Sequence, residues 1–343
     1  MKVLIYYQPP KGHDVYEGTR LRKTLKGACE VSEVTWVDNF LALPDIVHFL
    51  SPHDESKAND ARDDGYKVVF SLGYSENDPN ARFFDYDKEG KPHLGYRALR
   101  VLNQADMILV PNDAIADLLS QNGVTAPVKT LPPAVNLSRF EFENAAERNI
   151  FKRYYGVRDE ENYCLTCGDY GDKAVRNNLK EIARACPKVR FFFFGTKKHG
   201  QGSAFSLRHY AFRSPKNISW NLITEDDVYR SAMLNATCYL LLDNCHPDCT
   251  TLYDAFAAKT QVVALGDQRF NPILKNKETC FLASSPAKAA KLISSLSKGG
   301  DNSTIMAGYL LAKQSSLANL GKKLKAVYAD LLKDKPVVED ITK

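Results

Sequence analysis

"CHPDCTTLYDAFAAKTQVVAL", residues 245–265, is the stretch on which the reading of this chain turns. Two cysteines, a histidine and an aspartate crowd into residues 245–249. A helix-like segment (250–258) then runs into an apolar strand-like one (260–265). Such a loop is either a metal knuckle or a helix N-terminus that offers free N–H groups to an anion. Working outward, the same rhythm recurs. Upstream lie YCLTCG (163–168), a helical stretch at 176–186, VRFFFFG (189–195), NISWNL (217–222), a helix at 225–235 and ATCYLLLD (236–243). Runs that stay apolar residue after residue fit strands buried on both faces of a parallel sheet.

The first half has its own series: KVLIYY (2–7), DIVHFL (45–50), KVVFSL (67–72), DMILVP (106–111) and VKTLPP (128–133), with helical spacing over 16–29 and 113–121. A charged connector follows at 136–157, helical in its second part. The segment SSLANLGKKLKAVYADLL (315–332) is one amphipathic helix, with Leu317, Leu320, Leu324, Val327 and Leu331 on one stripe. Two strand–helix series imply an α/β protein of two facing Rossmann-like domains with parallel sheets. The expected division is an N-terminal domain over 1–150, a C-terminal domain over 151–314, and a helix and tail over 315–343.

Composition narrows the function. At 343 residues, the chain exceeds what one core usually supports. No run of 18 apolar residues exists, and MKVLIYYQPP has no signal-peptide pattern, so a cytoplasmic protein is expected. Its eight cysteines then read as thiols. Residues 1–150 carry 17 Lys and Arg against 22 Asp and Glu, and the remainder carries 29 against 19. An anionic ligand therefore belongs with the C-terminal half. No nucleic-acid motif is present, and no nucleic-acid partner is expected.

Strand geometry argues against the metal reading unless the strand ends before Cys167. Cys164 and Cys167 lie within a strand-like run, where residues three apart face opposite sides and cannot share an ion with Cys245, His246 and Cys249. No metal is expected.

Several phrases, in order, resemble the retaining glycosyltransferases of GT-B fold, of the family 4 type. They are QADMILVPNDAIADLLSQNGV (104–124), TLPPAVNLSRF (130–140), FKRYYGV with YCLTCGDYGDK, and PKNISWNLITEDDVYRSAMLNATCYLLL (215–242). NLKEIARACPKVRFFFFG (178–195) and the final helix resemble the bacterial glucosyl- and galactosyltransferases that make glycosyl-diacylglycerol glycolipids. The resemblance implies a hexose transferred from a UDP- or GDP-hexose to a glycolipid, cell-envelope glycan or protein acceptor. No cofactor would be tightly bound. It also implies a final helix that crosses back to the first domain.

The family holds its donor with two carboxylates eight positions apart and a basic pair after the first strand of the second domain. Carried onto this chain, the first carboxylate falls on His246 and the second on Asp254. Thr250, Thr251 and Leu252 would cradle the diphosphate, Asp254 would hold the ribose, and His246 would face the sugar. Lys173 takes the first basic position, Ala174 the second, and Arg176 is near enough to substitute. Both cations also fit a solvated helix face. Acceptor-side residues are expected at Gly18, Thr19 and Arg20, after a turn that lacks the family's paired glycines. Glu76 and His48 are the candidates for a base, and both also fit surface or packing positions. The helix 17–29, through Arg20, Arg22, Lys23 and Lys26, would meet anionic headgroups if the protein sits on the inner face of the membrane or on a partner glycosyltransferase. The alternative is a GT-B relative that has lost its chemistry and binds a glycan or an enzyme partner.

Overall fold

The computed structural model describes residues 1–8, 17–51, 55–72, 83–89, 91–170, 172–196, 211–222, 225–242 and 250–333. In the first half, β1 (Lys2–Tyr6), α1 (Glu17–Val31), β2 (Thr35–Val37), β3 (Ile46–Phe49), α2 (Glu55–Asp63) and β4 (Lys67–Ser71) are followed by a hairpin of β5 (Phe84–Tyr86) and β6 (Pro92–Leu94). Then come α3 (Tyr96–Leu102), β7 (Met107–Val110), α4 (Asp113–Gln121) and β8 (Val128–Thr130). The six-stranded sheet is ordered β2-β1-β3-β4-β7-β8, with every pairing parallel. β8 stops short of the expected 133 because Pro132 and Pro133 cannot donate to a ladder.

The connector holds two short helices, α5 (Ala145–Arg148) and α6 (Ile150–Tyr155). The second series is β9 (Tyr163–Asp169), α7 (Lys173–Ala185), β10 (Arg190–Thr196), β11 (Ile218–Leu222), α8 (Asp226–Asn235), β12 (Cys238–Leu241), α9 (Thr250–Ala257), β13 (Val262–Leu265) and β14 (Phe281–Ala283). Its order is β11-β10-β9-β12-β13-β14, again all parallel. The four phenylalanines of β10 show why the strands read as continuous apolar runs. Phe191 and Phe193 pack into the core on one face of this sheet, and Phe192 and Phe194 into the core on the other. Cys164 and Cys167 divide between the same two faces.

Three helices close the chain: α10 (Pro286–Leu296), α11 (Asn302–Gln314) and α12 (Leu317–Lys333). The last leaves the second sheet and packs on the first, as the resemblance implied. Leu320, Leu324, Val327 and Tyr328 are buried with Val3, Ile5, Leu25 and Ala28, while Leu317 and Leu331 flank them. The crossing of α12 over α1 is close because Gly321 has no side chain. A Cβ there would stand 2.3 Å from the Ala28 carbonyl oxygen and 3.0 Å from the Ser32 Cβ. Gly321→Ala is therefore expected to cost about 1–3 kcal/mol through overpacking. An unchanged urea midpoint would contradict this contact.

Candidate active site

Order 3-2-1-4-5-6, counted along the second sheet, places its topological switch point between β9 and β12. In open α/β sheets, the crevice beyond the strands' carboxyl ends at that point is where ligands bind. β9 leads there through Tyr170 into α7, and β12 leads there through Leu242 toward α9. Lys173 opens α7 and Thr250 opens α9, so two sequence candidates 77 positions apart flank one crevice. In the first sheet the equivalent point lies between β1 and β3, and the backbone of Gly18, Thr19 and Arg20 forms the start of α1 beside it. Their side chains, together with His246, Glu76, Cys245 and Cys249, lie outside the described residues.

The α9 end has a defined division of labour. The Thr251 hydroxyl accepts a 2.8 Å hydrogen bond from the Tyr239 hydroxyl, and Leu252 is fully buried in the core. The Thr251 side chain is thus committed inward. What residues 250–252 can offer an anion is the positive end of the helix dipole at its first turn.

Asp254 is 2% exposed, and both of its oxygens are engaged. Oδ1 accepts from Arg139 Nη1 at 3.0 Å, and Oδ2 accepts from the Tyr229 hydroxyl at 3.1 Å. The same guanidinium donates through Nη2 to Asp226 Oδ1 at 2.7 Å. Arg139 belongs to the short 3-10 turn Leu137–Phe140 that follows the first sheet, so the ion pair ties that turn to α8 and α9. Sequence reasoning found the carboxylate and missed both partners. NLSRF was read only as a landmark of fold, and a pair 115 residues apart has no local signature.

The basic end is less open than the sequence suggests. Asp172 caps α7, accepting from Ala174 N at 2.7 Å and Val175 N at 3.0 Å, which is why the helix begins three residues before the expected 176. A carboxylate already occupies those donors. Lys173 is exposed. Arg176 turns back and donates to the Tyr170 carbonyl oxygen, which makes it a brace for the β9–α7 connection.

His48 is a packing residue, not a base. It is fully buried, with Nδ1 2.7 Å from the Tyr328 hydroxyl of α12 and Nε2 2.7 Å from the Ser71 hydroxyl. Burial pushes its pKa down to about 3, so the ring is neutral. Two of the four cations of α1 are engaged by protein groups. Arg22 donates to the Tyr7 carbonyl at 3.0 Å, and Lys26 pairs with Asp38 at 2.7 Å while lying over the Trp36 ring. Those two cations face protein groups rather than headgroups. Among the described residues no cluster of three or more His, Cys, Asp or Glu side chains has metal-site geometry. The Cys164 thiol instead lies 3.3 Å from that of Cys238 on the neighbouring strand, and burial raises its pKa. No helix among the described residues is long and apolar enough to cross a membrane.

Two parallel-sheet Rossmann-like domains, one helix returning from the second to the first, and a switch-point crevice with a helix N-terminus and a lysine define the GT-B architecture. The solved structures agree. HepE of Anabaena, in a complex with UDP and glucose, superposes with a TM-score of 0.71 at 13% identity, over 96% of this chain and 100% of that one. Sucrose-phosphate synthase of Thermosynechococcus elongatus gives 0.71 at 12% identity, over 97% and 99%. In sequence, the chain is similar to the processive diacylglycerol alpha-glucosyltransferase of Acholeplasma laidlawii, 22% identical over 338 residues, covering 98% of this chain and 100% of the relative. No family model matches the chain. The chain thus has the GT-B fold and resembles glycolipid-synthesising glycosyltransferases along its whole length.

Proposed function

We propose that this protein is a retaining hexosyltransferase that takes a hexose from a UDP- or GDP-sugar and passes it to a glycolipid or cell-envelope glycan. The observation that carries this reading is the convergence of Lys173 and the α9 N-terminus on the switch point of the second sheet. The full-length likeness to a diacylglycerol glucosyltransferase supports a lipid-linked acceptor.

In the reaction, the acceptor hydroxyl oxygen bonds to the anomeric carbon as the bond from that carbon to the diphosphate breaks. The hydroxyl proton passes to the departing diphosphate, so no separate base is required. The barrier falls when the charge growing on that diphosphate is met by fixed dipoles and cations. Main-chain N–H groups of Thr250, Thr251 and Leu252 supply the dipoles, and Lys173 supplies the cation. Asp254, held in place by Arg139 and Tyr229, meets the ribose hydroxyls, and His246 faces the sugar. The acceptor approaches from the side of Gly18, Thr19 and Arg20, with Glu76 on the same domain.

A second reading is favoured by one observation. Asp254 is already engaged by Arg139 and Tyr229, and His246 stands where the resemblance to the family implies a carboxylate. That combination suits a GT-B protein that binds a glycan or an enzyme partner without turnover. A panel of UDP- and GDP-hexoses separates the two. The transferase reading expects thermal stabilisation by at least one nucleotide, equivalent to about 2.7 kcal/mol at a hundredfold excess over Kd. Slow hydrolysis of the matching donor should accompany it. No stabilisation and no hydrolysis with any donor would leave only the binding-partner reading. Within the first reading, Lys173→Ala is expected to weaken UDP binding about tenfold, the loss of one charge-assisted contact. Calorimetric titration that returns wild-type affinity would remove Lys173 from the site.

A further inference from the structure

The two domains touch at a place distant in sequence from either chain crossing. The crossings themselves are tied together. Val135 of the linker donates its N–H to the Ser315 carbonyl at 3.0 Å and bridges Ser316 in parallel. Two segments joined side by side leave the domains free to turn about one line, as a hinge does. A third contact, away from that line, stops the turn.

That contact comes from the loop after β13. Gly266 starts it with φ at +88°, a left-handed conformation that suits glycine. The loop then folds on itself, with the Asn271 N–H bonded to the Gln268 carbonyl at 2.8 Å and the Leu274 N–H to the Asn271 carbonyl at 3.0 Å. Gln268 reaches back to the Leu265 carbonyl at 3.0 Å, and Asn271 and Leu274 are both buried, Leu274 in the core of the second domain. So braced, the loop presents Phe270 to the other domain. The Phe270 ring packs against the first-domain core that holds Leu94, Val110 and Ile115. Its carbonyl oxygen accepts from Asn112 Nδ2 at 3.0 Å, while Asn112 Oδ1 caps α4 by accepting from Ile115 N at 3.1 Å. One side chain thus starts a helix and grips the opposite domain.

The position gives the contact leverage. Asn112 follows β7, one strand inward of the edge strand β8 from which the linker leaves. Strands lie about 4.8 Å apart, so the first sheet's switch point between β1 and β3 is about 17 Å from β8. A displacement at Asn112 is therefore magnified about threefold at the crevice. Reacting groups misplaced by about 1 Å lose on the order of a hundredfold in rate.

We infer that the loop 266–274 is a clasp that fixes the two domains in their facing arrangement before any ligand binds, with Phe270 and Asn112 as its positioning residues. The inference rests on the transferase reading for its purpose, since the clasp sets the donor side against the acceptor side.

Small-angle X-ray scattering of the full chain tests it, without ligand and with saturating UDP. Wild type is expected to keep one radius of gyration in both. Asn112→Asp preserves an acceptor for Ile115 N but removes the donor and sets a carboxylate against the Phe270 carbonyl. Phe270→Ser removes the packing. Each should raise the radius of gyration and the double variant should raise it most, while Phe270→Leu stays with wild type. Hydrogen exchange in the double variant should quicken in peptides covering 107–119 and 262–274, with 173–185 unchanged. Far-ultraviolet circular dichroism, unchanged in every variant, reports that they fold. Compaction of wild type on UDP overturns the inference, as does a double variant no larger than wild type. Expansion in Phe270→Leu equal to that in Phe270→Ser overturns the role of apolar packing. Expansion of the double variant in a protein that binds no UDP keeps the clasp while sinking the donor-site reading.

Discussion

Arg139→Met is expected to lower stability by about 3 kcal/mol, because it strands the Asp254 carboxylate in the core. Asp254 is 2% exposed, and its second oxygen meets only a neutral group in the Tyr229 hydroxyl, which cannot balance the charge that Arg139 balances. Breaking a buried pair from one side costs more than the pair is worth, since the leftover charge has lost water and counter-ion together. The value lies at the low end of the usual range because the Arg139 side chain keeps 23% of its surface in solvent. The double variant Arg139→Met, Asp254→Asn should recover much of the loss, since no charge is then stranded. The double-mutant cycle in urea is the appropriate measurement. Additive losses would show that the two side chains do not depend on each other. The pair also has a functional side. Asp226, Asp254 and Tyr229 all meet one network that begins in the turn after the first sheet. The carboxylate assigned to the ribose is thus set by a residue from outside its own sheet.

The second large effect is acid lability at His48. Its folded pKa, about 3, lies well below the ordinary histidine value of about 6.5. Protons therefore prefer the unfolded chain. The stability contributed by the neutral ring is complete above pH 6.5 and drains away as pH falls toward 3. The loss amounts to about 2 kcal/mol by pH 5 and about 5 kcal/mol at the acid limit. His48→Gln removes the titration while keeping groups that can bond Ser71 and Tyr328. The difference in unfolding free energy between wild type and His48→Gln should shrink as pH drops from 7 to 5, with the surface carboxylates cancelling in the comparison. Parallel curves would show that the ring is not held neutral. Since Tyr328 belongs to α12, acid should first loosen the docking of that helix.

How much of this was legible in the sequence follows from where each signal lives. β10 was readable because burial on both faces demands apolar residues at every position, and VRFFFFG supplies them. α4 fell on 113–121 as expected because Asn112 caps it and its apolar positions repeat at helical spacing. β2 and β14 went unread because each is a three-residue edge strand, too short to show a period. No element was read in 266–314, where α10 and α11 lie. α11 carries Gly308 at its middle, a residue that weakens a helix in isolation, and the reason for it is tertiary. A Cβ on Gly308 would stand 2.5 Å from the Phe256 ring of α9.

The candidate site divides in the same way. Lys173, Thr250 and Asp254 were visible as a spacing along the chain. Arg139 and Tyr229 were not, because an ion pair and a hydrogen bond across 115 and 25 positions are made by the fold rather than by a motif. The partners of Arg22 and Lys26 on α1 were invisible in the sequence for a related reason. Four basic residues on one helix look free until Asp38, Trp36 and the Tyr7 carbonyl take two of them.

The central claim is that a sugar nucleotide sits at the switch point of the second sheet. Hydrogen exchange with and without UDP tests it most directly, because backbone N–H groups are the proposed ligands. The account predicts slowed exchange in peptides covering 168–176 and 241–257, with 2–8 and 44–51 unchanged. Protection confined to the first sheet, or none at saturating UDP, would contradict it.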